Sequence, residues 1–387
     1  MSSRAKIWND PRVRAIAFQA ILVLALGFLF YAIVDNTLTN LARRGIRTGF
    51  DFLGREAGFG ILFSLIEYDE SMSYGRTFVV GLVNTLLVSA LGVVLATILG
   101  FIIGIARLSS NWLIAKMAAA YIEIFRNIPL LLQIFFWYTA VLQTLPPPRD
   151  SLRLGEVFLL NNRGLISPRP IFEDGFAWVA AAIAIAILAV VALTRWARTR
   201  FLRTGRTFPT LWVSLAVLVL LPLGAFAATG APLRWEIAEV TRFSFSGGLL
   251  LIPELLALVW ALTMYTAAFI GETVRAGIQG VSHGQTEAAR ALGLRTGLML
   301  RLVIVPQALR IIVPPLTSQY LNLTKNSSLA TAVGYPDLVA VFMGTTLNQT
   351  GQAVEIVAMT MAVYLVISLS ISLAMNIYNR AIALVER

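Results

Sequence analysis

Long apolar runs alternate with short, arginine-rich connectors along almost the whole chain. A bilayer core about 30 Å thick takes about 20 mostly apolar residues per helix. The runs that approach this length predict eight membrane helices: Ala15–Val34, Phe78–Ala106, Pro129–Leu142, Ala177–Thr194, Leu211–Ala228, Pro253–Ala276, Leu302–Leu321 and Ala353–Ile377. The third is short unless residues before Phe125 lengthen it. The first follows Arg4, Lys6, Arg12 and Arg14 and lacks a small-residue cleavage site leading into soluble sequence, which predicts a retained anchor rather than a removed signal peptide. The expected fold class is all-α: an integral membrane protein of about eight transmembrane helices.

Composition agrees with that pattern. Of 387 residues 58% are hydrophobic and 13% charged, with a mean hydropathy of +0.77; a soluble domain is about 45–50% apolar and about 25% charged. The chain is too apolar for disorder and has too little polar sequence to cover a soluble globule. The net charge of +11 is carried almost entirely by arginine, with Lys6, Lys116 and Lys325 the only lysines. Most arginines lie between apolar runs, a juxtamembrane pattern rather than a nucleic-acid surface. The absence of cysteine excludes disulfides, thiol catalysis and thiolate metal sites. A single histidine, His283, argues against a histidine metal cluster or a Ser/His/Asp triad.

Arginine placement also predicts orientation. The connector Arg195–Thr207 holds Arg195, Arg198, Arg200, Arg203 and Arg206 with no acid, the strongest cytoplasmic signal in the chain. Alternating outward from it puts both termini, Arg107–Lys116 and the Gly277–Arg301 loop in the cytoplasm. Arg43, Arg44, Arg47 and Arg55 then fall outside, in the acid-containing loop Asp35–Thr77, where a helix lying along the outer surface would carry them. Four segments follow: residues 1–77, an anchor helix and outer loop; 78–142, the first part of a helical core; 143–248, an insertion with two extra helices opening at Pro146–Pro148; and 249–387, the second part of the core. No internal repeat is apparent.

The stretch from Glu272 to Asp337 carries most of the chemistry. Ser282 followed by Gln285 predicts a capping box, Ala288, Ala289, Ala291 and Leu292 a small-residue apolar face, Gly293 a left-handed C-cap, and Thr296 the cap of the next helix. Such a compact helix–turn–helix either packs on its own bundle or docks into a groove of a partner. Glu287 is suited to the helix dipole or to a salt bridge with Arg290 or with the partner. In YLNLTKNSSL, the residues Tyr320, Asn322, Lys325, Asn326 and Ser327 gather hydrogen-bonding groups at a membrane helix end. Pro314 and Pro315 are expected to break the helix just before them. This end is either an interfacial loop facing water or a receiver for a carboxylate. Gln133, Phe136, Tyr138 and Tyr265 are further pore-lining candidates. Arg310 either snorkels or pairs with Glu272, Glu254 sits in a first helical turn, and Gly100 with Gly104 forms a helix-packing pair.

The order Glu287-Ala288-Ala289, Gly293 and Val303-Ile304-Val305-Pro306 resembles the EAA loop of ABC importer membrane subunits, with valines where the family has Ile and Leu. Asn84, Phe125–Gln133, Glu272–Gly277, Gly284-Gln285, Ala291–Leu294 and Pro306–Arg310 are similar to the polar amino acid permeases (the histidine, glutamate and glutamine family). The length, the early VDNTLTNLARRGI segment and the insertion look most like general L-amino acid permeases of Gram-negative bacteria. The resemblance covers roughly residues 74–142 and 253–378. It implies a type I importer five-helix core plus one N-terminal and two inserted helices, in the bacterial inner membrane. It also implies that the loop 277–306 docks on a cytoplasmic ATPase dimer through Gly284, Gln285, Glu287, Ala288, Ala289 and Gly293, and that the membrane cavity moves L-amino acids by alternating access. The partners implied are that ATPase, which binds ATP and Mg, a second homologous permease subunit in a heterodimer, a periplasmic amino-acid-binding protein and membrane lipid, with no nucleic acid. This chain carries no phosphate-binding loop, no catalytic residues and no metal or cofactor site of its own. The competing readings are an ion-gradient-driven secondary transporter, which would show an inverted repeat, and an intramembrane enzyme, which would need a carboxylate dyad inside the apolar runs.

Overall fold

Helices occupy every long apolar run, and several continue beyond it into polar sequence. The computed structural model describes residues 11–43, 45, 48–155, 157–240 and 245–382; Arg4, Lys6, Arg44 and Arg47 lie outside the described residues. In chain order the helices are α1 (Pro11–Arg43), α2 (Tyr74–Arg107), α3 (Trp112–Asn127) and α4 (Leu130–Phe135), which runs on as a π-helix over Phe136–Leu142. Next come α5 (Phe176–Thr204), α6 (Thr210–Ala228), α7 (Pro253–Gln279), α8 (His283–Ala291) and α9 (Thr296–Met299), followed by a π turn at Leu300–Ile304. Then come α10 (Val305–Asn326), a 3-10 turn at Ser327–Val333, a π-helix at Val339–Thr346, α11 (Leu347–Thr350) and α12 (Ala353–Ile382). Among the described residues seven stretches are long and apolar enough to span a bilayer, eight if the bent pair α3–α4 is counted as one.

Four expectations are corrected here. The third span is not one helix: α3 and α4 meet at 105°, because Pro129 has no N–H to give and cannot continue α3. The arginine connector is largely helical, since α5 runs through Arg195, Arg198, Arg200 and Arg203 to the left-handed Gly205. Arg43 is the last residue of the long helix α1 rather than part of a separate surface helix. Pro314 and Pro315 do not break α10, which passes through both. They silence the N–H groups that would reach the Arg310 and Ile311 carbonyls, yet helical φ suits proline and the other bonds of the helix remain.

Contacts divide the chain into two units, residues 1–138 with 257–387, and residues 139–256. In the first unit α2 and α7 meet through glycine. A Cβ on Gly100 would fall 2.6 Å from Ile270 Cβ, and one on Gly104 would fall 2.7 Å from the Gly271 carbonyl, so only glycine lets the backbones touch. Around this contact Ala96, Ile270, Val274, Ile312 and Leu323 form the buried core that also takes in α10. At the other end of the bundle Phe52, Tyr74, Leu338, Phe342 and Ile356 form a second cluster. Asn84 fixes its polar seam. The buried Asn84 amide nitrogen donates to the Phe63 and Pro336 carbonyls, both at 2.9 Å.

The second unit contains a feature the sequence reading did not anticipate: short antiparallel strands beside α5 and α6. Strands β1 (Leu152–Leu154), β2 (Phe158–Asn161), β3 (Gly164–Ser167), β4 (Arg169–Phe172), β5 (Leu233–Glu236), β6 (Glu239–Val240), β7 (Phe245–Ser246) and β8 (Leu249–Leu251) form three small sheets, ordered β1-β2-β3-β8, β4-β5 and β6-β7. Their segments are two to four residues long, too short for a period-two pattern to stand out. Among the described residues the remaining regular elements are helical.

Candidate functional site

The loop after α7 is built around α8. Residue Ser282 occupies the N-cap position without a side-chain capping bond, so the capping box does not form; the Gln285 N–H bonds the Ser282 carbonyl instead. The Gln285 side chain reaches away from the cap: Gln307 Nε2 donates to Gln285 Oε1 at 3.1 Å, tying α8 to the start of α10. The end of α8 closes as expected. Gly293 has φ +71, its N–H bonds the Arg290 carbonyl at 2.9 Å, and the Leu294 N–H bonds the Ala289 carbonyl at 3.1 Å. These are the two bonds of a Schellman motif. Thr296 is the first residue of α9 rather than its cap, which is Arg295.

The small-residue face of α8 is split between two surfaces. Ala289 is buried and packs with Met299 and Ile304, so it faces the loop's own core. Gly284, Gln285, Glu287, Ala288 and Gly293 are exposed. Leu292 is 79% exposed, the most conspicuous outward side chain of the loop and a candidate the residue pattern placed but the site expectation omitted. Glu287 sits beyond the first turn, out of reach of most of the dipole effect, and among the described residues forms no ion pair with Arg290 or another arginine. It accepts from His283, with Nδ1 3.0 Å from Oε1. Both side chains are largely exposed, so this pair adds little stability.

At the same end of the bundle Glu272 on α7 is bound by Arg275 through two short hydrogen bonds, with Arg107 of α2 at 3.9 Å. Arg275 also donates to Gln279. This cluster fastens the last turns of α2 and α7 immediately before α8.

The candidate path residues fall into two groups. On α10, Pro314, Pro315, Ser318, Asn322 and Lys325 are all exposed and recur at three- and four-residue intervals, one polar stripe on a membrane helix. Asn326 is half-buried and Ser327 is buried, its hydroxyl donating to the Thr324 carbonyl at 2.7 Å. Tyr320 points away from the stripe and shares a hydrogen bond of 2.9 Å with Thr97 of α2.

The second group lies at the bend. Gln133 is 4% exposed, and its Nε2 donates to the Phe125 carbonyl at 3.0 Å and the Ile128 carbonyl at 2.9 Å. Residue 129 is the one whose N–H would have reached the Phe125 carbonyl in an unbroken helix, so Gln133 supplies the bond that Pro129 cannot make. Its Oε1 has no partner among the described residues. A groove of about 380 Å³ lined by Phe125, Ile128, Leu132, Gln133, Phe136 and Trp137 opens there, and α4 packs against the 3-10 turn that begins at Ser327. Tyr138 lies in the π-helix that continues α4. Tyr265 lies on α7, its ring tilted against Phe269 at 4.9 Å, whose ring carries Arg126 at 5.1 Å. Among the described residues no cluster of His, Cys, Asp or Glu has metal-holding geometry.

Known proteins with this arrangement are membrane transport subunits. The sequence pattern described as "Binding-protein-dependent transport system inner membrane component" matches residues 195–384. An amino-acid ABC transporter permease protein of Escherichia coli (strain K12), YhdX, is 57% identical over 98% of this chain and 96% of its own length. The general L-amino acid transport system permease protein AapQ of Rhizobium johnstonii is 52% identical over 98% of this chain and 94% of its own. The glutamate/glutamine/aspartate/asparagine transport system permease protein BztB of Rhodobacter capsulatus is 43% identical over 98% and 96%. With identity of this extent over nearly the full length, the chain belongs to the amino-acid ABC transporter permeases, inner membrane components of binding-protein-dependent transport systems.

Proposed function

We propose that this chain is one half of the membrane pore of an ATP-driven importer in the bacterial inner membrane, carrying L-amino acids from periplasm to cytoplasm by alternating access. The observation that carries this reading is the exposed, Schellman-closed helix α8. It offers Gly284, Gln285, Glu287, Ala288, Leu292 and Gly293 outward while Ala289 anchors it from within. A cytoplasmic ATPase dimer, holding ATP and Mg, docks on that face. Displacement of α8 reaches α10 through the Gln285–Gln307 bond and reaches α7 through the chain. Both termini lie in the cytoplasm, and residues 143–248 are an insertion into a five-helix core.

The substrate passes along the polar stripe of α10. There Lys325 receives the carboxylate, with Asn322, Asn326 and Ser327 adding hydrogen bonds, and the unpartnered Gln133 Oε1 receives the ammonium. A second, homologous permease subunit faces the stripe, and a periplasmic binding protein delivers the amino acid. The test is co-purification of these subunits, reconstitution in proteoliposomes and uptake of a panel of labelled amino acids. ATP-dependent uptake is expected. Uptake driven by a sodium or proton gradient in the absence of the ATPase overturns the reading.

A further inference from the structure

Helices α5 and α6 pack together as a hairpin joined by Gly205–Pro209, but their lengths differ. At 1.5 Å per residue, the 19 residues of α6 span about 28 Å, close to the hydrocarbon thickness, whereas the 29 residues of α5 reach about 43 Å. The excess is the C-terminal part of α5. It carries Arg195, Arg198, Arg200 and Arg203, and Arg206 follows in the turn. The sequence has no acidic residue between Asp174 and Glu236, and among the described residues no ion pair engages any of the five arginines. The hairpin therefore ends in five guanidiniums at headgroup depth with no carboxylate to neutralise them.

A groove of about 400 Å³ opens at this end, lined by Thr194, Arg198, Phe201, Thr207, Phe208 and Thr210. Its wall is held by aromatic packing. Trp196 and Phe208 meet edge to face at 5.2 Å, and the Arg200 guanidinium lies over both rings, at 5.3 and 5.8 Å. Stacking fixes the guanidinium plane and leaves its in-plane N–H donors available. The first turn of α6 reaches the groove through Thr210, so the positive end of that helix also faces it. Two residues further along α6 an apolar trough begins at Trp212 and continues to Leu221.

We infer that this groove binds the phosphate headgroup of an anionic phospholipid, whose acyl chains follow the apolar trough of α6. The planar guanidinium of Arg198 lines the groove and that of Arg200 lies over its Phe208 wall, forks that match a phosphodiester bidentately, and basic pockets between membrane helices suit such headgroups.

The test takes the full chain, purified with the subunits that accompany it, in mixed micelles of cardiolipin and phosphatidylcholine, with retained lipid measured by native mass spectrometry. The wild type is expected to retain cardiolipin in preference to phosphatidylcholine. Each surface arginine is worth about fivefold in affinity for anionic lipid, so Arg198→Gln, Arg200→Gln and Arg203→Gln together lose on the order of a hundredfold. Because that triple variant also alters the orientation signal, Thr194→Trp serves as the second probe. It fills the groove with all five arginines in place and is also expected to abolish the preference. Equal retention of the two lipids by the wild type overturns the assignment. So does unchanged retention in both variants, displacement of cardiolipin by millimolar inorganic phosphate, or a preference that appears only when an acidic partner subunit is stripped away.

Discussion

Two proline sites in the transport core have opposite outcomes. Pro129 turns the chain through 105°, while Pro314 and Pro315 leave α10 continuous. At the bend the carbonyl deprived of its donor is served by the buried Gln133 amide, so the break is sealed by the chain itself. On α10 both prolines are exposed and lie on the same face as Ser318, Asn322 and Lys325. That face is the one proposed above to line the substrate path. A proline specifies only which hydrogen bond is missing. Whether the helix bends, and whether the freed carbonyl is closed off or left available, depends on the side chains around it. The same division runs through the unit: Gln133, Asn84 and Asp337 are committed inward, whereas α8 and the α10 stripe are left open.

Substitutions test that division. The largest effect is expected for Gln133→Leu, which removes the side-chain hydrogen bonds to the Phe125 and Ile128 carbonyls at about 0.5–1.5 kcal/mol each. Thermal unfolding of the detergent-solubilised protein should fall by several degrees, roughly what such a loss gives, and uptake should fail with it. A variant as stable as wild type would mean that neighbouring helices alone hold the bend. Gly293→Val comes next. A β-branched residue at φ +71 costs about 1–3 kcal/mol locally, confined to an exposed loop. The expected result is ATPase activity without proportionate uptake, at near-normal thermal stability. Wild-type coupling in this variant would remove the docking role of the α8 terminus.

Lys325→Met should lower uptake while assembly and melting temperature stay unchanged. Identical kinetics for acidic, neutral and basic amino acids would assign Lys325 to the open surface without a role in transport. Asp337, buried between the last two spans, gives an effect read across pH rather than at one pH. It accepts from the Ala340 N–H at 2.8 Å and from the Tyr364 hydroxyl at 3.5 Å. Burial pushes its carboxyl from an ordinary 3.8 up to about 7. The folded state therefore holds the proton over a window in which the unfolded chain has lost it. Stability contributed by this group is full below about pH 4, declines as pH rises toward 7 and is level above that. In Asp337→Asn this slope should vanish, as read from unfolding midpoints measured across pH 4–8.

Much of the fold was legible because membrane helices must satisfy their backbones internally, which leaves long apolar runs in the sequence. Gly293 was legible for a similarly local reason: a helix end in the left-handed region favours glycine. What the sequence concealed was side-chain commitment at a distance. Gln133 reads as a polar residue in a membrane helix, and only the geometry shows its Nε2 facing the Phe125 carbonyl. Ser282 and Gln285 have the spacing of a capping box, but Gln285 is claimed by Gln307, 22 residues away. Ala289 reads like its neighbour Ala288, and which of the two faces inward depends on how the whole loop packs. The strands of the second unit were hidden by their shortness, and Tyr320 by its bond to Thr97.

The glycine contact between α2 and α7 bears on how motion enters the bundle. Where Gly100 and Gly104 meet Ile270 and Gly271 there is no layer of flexible side chains to slide or re-pack, and Glu272 with Arg107 and Arg275 clamps the ends. The two helices form a single rigid lever with α8 attached to its tip. In the importer proposed above, a push on α8 would turn that lever as a whole, and bending would fall at its junctions with α3 and α10.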